Sequence, residues 1–370
     1  MGRVGLDGAG LEWADVEARV RVAERAVMRT VGSAVTGPAG PAGSAGALGA
    51  GGAAKVWTGD EVEAVKRGGV VDLGGREVAL PRAAVVAGAG VEATVRNGTV
   101  VGVSVVDRVA FAVMTEAKLR LEGMRVVGAN IVCSGRRQVT LIDTHVTETI
   151  FAGLGVLGHG SKGFVQGGRI VGSKDGHRVL CRDGGRLELR DVEISDFKEC
   201  GVAISDKGSK VVMQGVHIVR SQEGHGLGCH DGGQAELRDV EVIDVSLCGL
   251  LIYGNGSKAV VHGGRIVGSK DGHGVLCRDG GRVELRDVEV ADCQLNGVFV
   301  SGYGSKAVVR GGHISGSREG CGVYCFDGGQ AEVRDVEITD CKLEGLLCDV
   351  GTLLHSGCVV SGCGAGSLRG

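Results

Sequence analysis

The fold of this chain is decided by one stretch, GHGVLCRDGGRVELRDVEVADCQLNGVFVSG, residues 272–302. It contains three kinds of short apolar run, GVFV at 297–300, VELR at 283–286 and VEV at 288–290, separated by Gly and Asp. Short runs that are rich in Val and bounded by turn residues predict β-strands joined by tight turns.

The stretch belongs to an internal repeat of 48 residues. Three tripeptides, Gly-Ser-Lys, Asp-Gly-Gly and Asp-Val-Glu, each occur four times at this interval. Each unit splits into two related halves, so we predict a structural period of about 24 residues. The copies begin at Gly160, Gly208, Gly256 and Gly304, at Asp183, Asp231, Asp279 and Asp327, and at Asp191, Asp239, Asp287 and Asp335.

Alternation of side chains along a strand assigns one face of each run to the interior. Equivalent residues of successive halves then form columns, which we call ladders. The first ladder is Val179, Val202, Leu227, Leu250, Val275, Val298, Val323 and Leu346. The second is Leu187, Val211, Ala235, Ala259, Val283, Ala307 and Ala331, and the third is Ile194, Ile218, Val242, Ile266, Val290, Ile314 and Ile338. Three apolar ladders with one period predict an all-β, three-walled parallel β-helix solenoid of about twelve coils, stacked about 4.8 Å apart.

The corner between the second and third runs supports this prediction. Gly and Asp alternate there, and both residue types tolerate the left-handed backbone that a sharp corner needs. The corner residues are Asp191, Gly215, Asp239, Gly263, Asp287, Gly311 and Asp335.

The chain divides into three predicted segments. They are an amphipathic helix segment at 1–36, an Ala/Gly-rich linker at 37–54 and the solenoid at 55–370. The first helix covers 11–31, where apolar residues can share one stripe. A second, short helix is predicted at 58–67, with Thr58 or Asp60 near its N-cap. The linker composition cannot build a core.

Composition limits the core and the partners. Hydrophobic residues make up 43% of the chain but aromatic residues only 3%, so the core must be built from Val, Leu, Ile, Ala and Cys. The net charge of −3 and pI near 6.4 suggest no basic stripe, and we therefore expect no nucleic-acid partner. No run of about 18 apolar residues occurs, so we expect no membrane span.

The thirteen cysteines are placed as buried thiols that act as small hydrophobic residues. Only Cys325 and Cys348 fall in adjacent coils on one ladder, whereas a disulfide needs Cα atoms within about 7 Å. Free thiols indicate a reducing compartment. The first ten residues also lack the basic-then-apolar layout of a secretory signal. Both observations favour an intracellular location.

The repeat resembles that of the pectin-lyase-like superfamily of right-handed parallel β-helices. The match covers about residues 70–365 and rests on segments such as 272–302, while 58–100 resembles the capping helix and first coils. The resemblance implies the right-handed fold. The resemblance says little about activity, because the superfamily includes polysaccharide lyases, polygalacturonases, epimerases, phage tailspikes and non-catalytic repeat modules.

Three motifs suggest chemistry, and each has a structural alternative. Gly-His-Gly at 224–226 and 272–274 resembles a polygalacturonase motif, but its recurrence favours a turn element. The aspartates of Asp-Gly-Gly could line a calcium groove, but such dipeptides are typical of plain turns. Rows of Glu (188, 236, 284, 332) and Arg (190, 238, 286, 334) could bind an anionic sugar polymer, but a solvated wall of neighbouring opposite charges is favoured.

If catalysis exists, we expect it in the least regular coils, at 88–159. These coils contain Arg136, Arg137, Asp143, His145 and His159.

The outward face of the first wall is unexpectedly apolar. Contiguous apolar surface usually marks an interaction site, although helix 11–31 or the C-terminal tail could also cover it. The predicted binding residues are Leu251, Tyr253, Leu276, Phe299, Tyr324 and Phe326. We therefore predict a non-catalytic scaffold that binds a protein or polysaccharide along this wall, without cofactor or metal. The alternative is a polysaccharide-active enzyme of lyase, hydrolase or epimerase type.

Overall fold

A computed structural model describes residues 55–80, 84–102, 109–114, 116–149, 152–173, 176–364 and 368–369. The predicted helix at 11–31 and the linker at 37–54 lie outside the described residues. The short helix predicted at 58–67 is present as Gly59–Lys66. Thr58 is its N-cap: the Thr58 hydroxyl accepts the Glu61 N–H at 3.3 Å, and the Glu61 carboxylate accepts the Thr58 N–H at 3.1 Å.

The first wall is a parallel sheet of thirteen strands. Strands of successive coils are hydrogen-bonded neighbours throughout. In chain order the strands are Ala84–Ala87, Val109–Met114, Asn130–Ser134, Leu154–Leu157, Val179–Arg182, Cys200–Ser205, His225–His230, Leu250–Tyr253, Val275–Arg278, Val298–Ser301, Val323–Phe326, Leu346–Asp349 and Leu368–Arg369.

The second and third walls form one sheet of 23 strands that bends at a corner. The second wall contains Val70–Asp72, Gln138–Ile142, Lys162–Gln166, Arg186–Arg190, Lys210–Gln214, Arg282–Arg286, Lys306–Arg310, Gln330–Arg334 and Thr352–Ser356. The third contains Lys55–Val56, Glu77–Leu80, His145–Thr149, Arg169–Ser173, Glu193–Phe197, His217–Ser221, Glu289–Ala291, His313–Ser315, Glu337–Thr339 and Val359–Ser361. Four longer strands pass through the corner and serve both walls: Glu92–Gly102, Lys118–Val127, Gln234–Ile243 and Lys258–Val267.

The register confirms the predicted ladders. Val202 pairs with Leu227, which pairs in turn with Leu250, and all three are fully buried. In the same way Leu187 pairs with Val211 in the second wall, and Ile194 pairs with Ile218 in the third. The chain is thus an all-β parallel solenoid with about 24 residues per turn. It has about 11 turns, close to the predicted twelve.

The corner residues have the predicted left-handed backbone. Asp287 has a φ of 52° and Gly311 a φ of 63°. A Cβ on Gly311 would lie 2.2 Å from the Asp287 carboxylate of the preceding coil, so these two corners also fit against each other. Alternating Asp and Gly therefore allows successive corners to stack closely.

Buried polar bonds between coils account for the 48-residue period. The hydroxyl of Ser257, in Gly-Ser-Lys, accepts the N–H of Gly232, in the Asp-Gly-Gly turn of the preceding coil, at 3.0 Å. Ser209 and Ser305 repeat this bond with Gly184 and Gly280. Because a serine coil and an Asp-Gly-Gly coil are needed to make one bond, the repeating structural unit contains two coils rather than one.

The first wall begins at a glycine that packs against the third wall. A Cβ on Gly297 would lie 2.4 Å from the Ile314 side chain, which is closer than real Cβ atoms approach. Gly201 and Gly249 make the same approach to Ile218 and Ile266. This close packing explains why a glycine precedes the first apolar residue of the run in coil after coil.

Arg178 occupies this glycine position in one coil and is completely buried. Its guanidinium donates to the carbonyls of Ser195 at 3.3 Å and Asp196 at 2.6 Å, and to the hydroxyl of Thr149 at 3.2 Å. Burial lowers the pKa of Arg178 to about 9, so the group remains cationic at neutral pH. Three oxygen acceptors therefore hold a charged side chain inside the tube.

Candidate functional site

The six predicted binding residues lie on four successive strands of the first wall. Leu251 pairs with Leu276, and the column continues through Phe299 to Tyr324. We call these four residues the aromatic column. Tyr253 and Phe326 lie in the next outward column, where Arg278 and Ser301 separate them. The register therefore brings Leu276, Phe299 and Tyr324 into adjacent coils.

The expectation that this face is open to solvent is wrong for two of the six residues. Leu251 is 1% exposed and Phe299 is 5% exposed. Phe299 is covered partly by its neighbours, because its ring centroid lies 4.8 Å from that of His273 and 5.2 Å from that of Tyr324. Tyr324 and Phe326 are half-buried, with their centroids 5.9 Å apart. Of the two aromatic residues in the column, Tyr324 is thus the accessible one.

Tyr253 and Leu276 are also half-buried. The Tyr253 ring stacks on His230 at a centroid distance of 5.2 Å and an interplanar angle of 12°. The guanidinium of Arg278, one coil further, lies 5.6 Å from the Tyr253 centroid, in the range of a cation–π contact. These contacts fix the orientation of the Tyr253 ring.

The edge of the first wall carries a column of buried His, Cys and Asn side chains, each one coil from the next, and its His and Asn members accept hydrogen bonds. It consists of His177, Cys200, His225, Cys248, His273, Asn296 and Cys321, and we call it the acceptor column. The Nδ1 atom of His225 accepts the backbone N–H of Cys248 at 3.1 Å, and that of His273 accepts the N–H of Asn296 at 3.2 Å. The Asn296 side-chain oxygen accepts the N–H of Cys321 at 2.7 Å.

These bonds give the two Gly-His-Gly motifs a structural role. Each histidine supplies an acceptor to a backbone donor that would otherwise be buried without a partner. Burial lowers the pKa of His177 to about 3 and those of His225 and His273 to about 4. All three imidazoles are therefore neutral at physiological pH, as acceptors must be.

The aspartates of the Asp-Gly-Gly motifs occupy left-handed turn positions. Their φ values are 55° at Asp183, 51° at Asp231, 53° at Asp279 and 48° at Asp327. Asp tolerates this conformation better than most residues do, which explains its recurrence. Within the ranges that the structure describes, no group of three or more His, Cys, Asp or Glu side chains is placed to hold a metal ion.

The Glu and Arg rows of the second wall are neighbouring opposite charges, as the sequence suggested. Arg286 pairs with Glu284 at 2.6 Å and Arg334 with Glu332 at 2.8 Å, while Arg310 lies 3.5 and 3.6 Å from the two carboxylates. Contact with Arg286 lowers the pKa of Glu284. Glu188, Glu284 and Glu332 are thus neutralised by arginines of the same row, and Glu236 by Lys210 at 2.7 Å.

The expectation of no basic stripe is wrong for the second wall. Its strands pair without a register shift, so the first outward residue of each strand forms a straight column. That column is Lys162, Arg186, Lys210, Gln234, Lys258, Arg282, Lys306 and Gln330, which we call the basic column. The whole-chain charge hides this feature, because acids elsewhere offset it. The repeat period is the signal that could have found it.

The residues of the irregular coils do not come together in one site. Arg136 and His159 lie at one corner in consecutive coils, where the Arg136 N–H donates to the His159 carbonyl at 3.1 Å. Asp143 and His145 lie at the opposite end of strand Gln138–Ile142, at the next corner. Arg137 donates to the carbonyl of Val113 at 3.2 Å. These residues are therefore divided between two corners.

The thirteen cysteines are free thiols, and ten of them are buried. Burial raises the pKa of Cys181, Cys229 and Cys277 to about 12. Their sulfur atoms lie 3.6–3.7 Å from the backbone carbonyls of Lys210, Lys258 and Lys306, to which the thiols donate. These cysteines therefore contribute to packing and to links between coils rather than acting as thiolates.

Comparisons with known proteins agree with this architecture. The family model described as right-handed beta helix region matches residues 118–266 and 265–368. No curated protein sequence matches the chain. In the described part of the chain, no helix is long and apolar enough to cross a bilayer.

Two solved structures share the fold at low sequence identity. The periplasmic alginate epimerase AlgG is 10% identical, with a TM-score of 0.56 over 83% of this chain and 89% of that chain. The catalytic unit of a GH87 α-1,3-glucanase from Streptomyces thermodiastaticus is 12% identical, with a TM-score of 0.50 over 85% and 68%. These likenesses bear out the pectin-lyase-like resemblance for the fold. Because the family model matches well over half of its length, this chain belongs to the right-handed β-helix family.

Proposed function

We propose that the protein is a non-catalytic β-helix scaffold that binds a protein or glycan partner along the outward face of its first wall. The observation that carries this proposal is the aromatic column, in which Leu276, Phe299 and Tyr324 lie in adjacent coils. Tyr324, at one end of the column, and Phe326 form a contact surface that spans both outward columns of one strand.

The rings of this surface are already held in place. Phe299 lies between His273 and Tyr324, and Tyr324 in turn contacts Phe326. Aromatic side chains offer a large contact area, and rings fixed before binding lose little conformational entropy when a partner docks. The half-exposed rings of Tyr324 and Phe326 are therefore suited to partner binding.

The structural roles of the motifs support binding over catalysis. His225 and His273 give their Nδ1 lone pairs to backbone donors, and burial holds the pKa of both near 4. A general acid or base works best with a pKa near the operating pH and with access to substrate. Gly-His-Gly, the motif that most resembles one from a polysaccharide-active enzyme, thus links neighbouring coils.

The test compares two variants of the full chain. Tyr324→Ser with Phe326→Ser removes the accessible rings, while Tyr303→Ser removes a ring that is 81% exposed at a turn outside the wall. Phe299 is left intact, because its burial makes it part of the packing. Capture from a native lysate and binding to a panel of neutral polysaccharides are measured for both variants, together with depolymerisation of the same polysaccharides.

We expect a partner that is captured by the wild-type chain and by Tyr303→Ser but not by the double variant, and we expect no depolymerisation. Equal capture by all three chains would remove the first wall as the binding surface. Depolymerisation that depends on the first wall would favour the polysaccharide-active enzyme instead.

A further inference from the structure

The outward face of the second wall concentrates positive charge in a chain whose net charge is −3. Between residues 162 and 334 it carries eleven Lys and Arg side chains and four Glu side chains, together with His262. The basic residues are Lys162, Arg186, Lys210, Lys258, Arg282 and Lys306 in the basic column, and Arg190, Arg238, Arg286, Arg310 and Arg334 at the far ends of the strands.

The basic column places like charges in adjacent coils. Lys258 pairs in register with Arg282, which pairs with Lys306, and all three side chains are exposed. Among the described residues none of these three has a carboxylate within salt-bridge distance, whereas Arg286 and Arg334 pair with glutamates. Like charges side by side on a sheet oppose folding, so packing gives no reason for this arrangement.

The two basic columns lie at opposite ends of five-residue strands, with the glutamates between them. Four residues of extended strand separate the columns by about 13 Å. A single linear polymer lying along the axis would reach one column at a time. A duplex lying along the axis would rest on the midline, which carries alternating Glu and Val side chains and no basic group. A broad anionic surface contacts both columns at once.

We propose that the second wall docks the protein on an anionic lipid surface. Lys and Arg near a membrane are attracted by the negative surface potential, and Arg can donate two parallel hydrogen bonds to one phosphate. The midline supports this assignment, because half-buried apolar side chains alternate there with the neutralised glutamates. They are Phe164, Val212, Val260 and Val308. This docking surface is distinct from the first-wall site, and neither needs the other.

The test uses the full chain and sedimentation with vesicles of phosphatidylcholine mixed in equal parts with phosphatidylserine. One variant combines Lys258→Gln, Arg282→Gln and Lys306→Gln, and glutamine stands naturally in this column at Gln234 and Gln330. The control combines Lys270→Gln, Arg318→Gln and Lys342→Gln. It removes the same charge from exposed residues near the corner between the third and first walls.

The wild-type chain is expected to bind the mixed vesicles at low salt and not vesicles of phosphatidylcholine alone. The second-wall variant should bind about tenfold more weakly or worse, and the control within about twofold of wild type, with all binding falling as salt rises. Tyr324→Ser with Phe326→Ser should bind vesicles as wild type does, which separates this proposal from the first-wall function.

Three results would overturn the proposal. The first is no wild-type binding to the mixed vesicles at low salt. The second is an equal loss in the two triple variants, which would reduce the effect to net charge. The third is tighter wild-type binding to duplex DNA or to polygalacturonate than to the vesicles at the same salt, which would assign the wall to a linear polyanion.

Discussion

The first and second walls are both parallel sheets built from successive coils, but they use their side chains differently. Beyond the inward ladders, the first wall places its side chains against the protein itself: His225 bonds the next coil and Phe299 stacks on His273. The outward positions of the second wall face water, with Lys258 and Arg282 exposed. One repeat can therefore fix the architecture of the solenoid while the outward side chains of each wall take on different roles. Changes at the buried positions of the first wall should therefore alter stability strongly, whereas changes at the exposed positions of the second wall should alter it only slightly.

The largest expected effect is the pH dependence of the acceptor column. The folded-state pKa values of His225 and His273, about 4, are depressed below the ordinary value of 6.5. Between these values the unfolded chain binds more protons, so the free energy of unfolding falls as pH drops from about 6.5 to 4. The loss is about 1.4 kcal/mol per pH unit for each histidine. Urea denaturation across this window measures it.

Asparagine supplies the control for this prediction, since Asn296 already fills one position of the column. Replacing His225 and His273 together by Asn keeps an acceptor and removes two titrating groups. The slope of the unfolding free energy against pH, between pH 4 and 6.5, should become shallower by the contribution of two histidines, about 1.4 kcal/mol per pH unit each. A slope equal to that of the wild-type chain would mean that these histidines are not held neutral by the fold.

The next effect comes from the glycine that starts the first wall. Gly297→Ala places a methyl group 2.4 Å from the Ile314 side chain, and such overpacking costs about 1–3 kcal/mol. Gly155→Ala, in the same wall, is the matched control, because its nearest neighbour lies 3.9 Å away. Thermal and urea unfolding should show a clear loss for the first and little change for the second. Equal losses would show that the first wall lacks this tight contact with the third.

The smallest effect is expected in the second wall. Arg282→Gln removes a positive charge between Lys258 and Lys306, so the free energy of unfolding should rise by about 0.5 kcal/mol at low salt and return to the wild-type value at high salt. Arg286→Gln instead breaks the pair with Glu284 and should lower stability slightly. If Arg282→Gln were destabilising at low salt, the basic column would not be under repulsion.

The sequence was sufficient to predict the inward ladders, but it was insufficient to predict which outward side chains are exposed. Val202, Leu227 and Leu250 could be aligned because strand alternation and a 48-residue interval leave a single consistent register. The burial of Leu251 and Phe299 could not be read from alternation, which assigns a side chain to a face but does not say what covers that face.

Arg178 is a third case, in which the sequence departs from the repeat but does not reveal the reason. The tripeptide Gly-His-Arg stands where other coils have Gly-His-Gly, and the arginine enters a position that packing otherwise restricts to glycine. Only the structure shows that Thr149, Ser195 and Asp196 receive its guanidinium. The break in the repeat at Arg178 therefore marks a locally different core.

The serine-to-glycine bonds between coils have a consequence for how long the molecule can be. Excising residues 208–255 would join Lys207 to Gly256 and preserve the order in which serine coils and Asp-Gly-Gly coils follow each other. Excising a single coil would place two coils of one kind together and leave a buried donor without its acceptor. The rod can therefore gain coils by duplication or lose them by deletion in steps of two, which change its length by about 9.6 Å per step. A change by an odd number of coils would leave a buried donor without its acceptor.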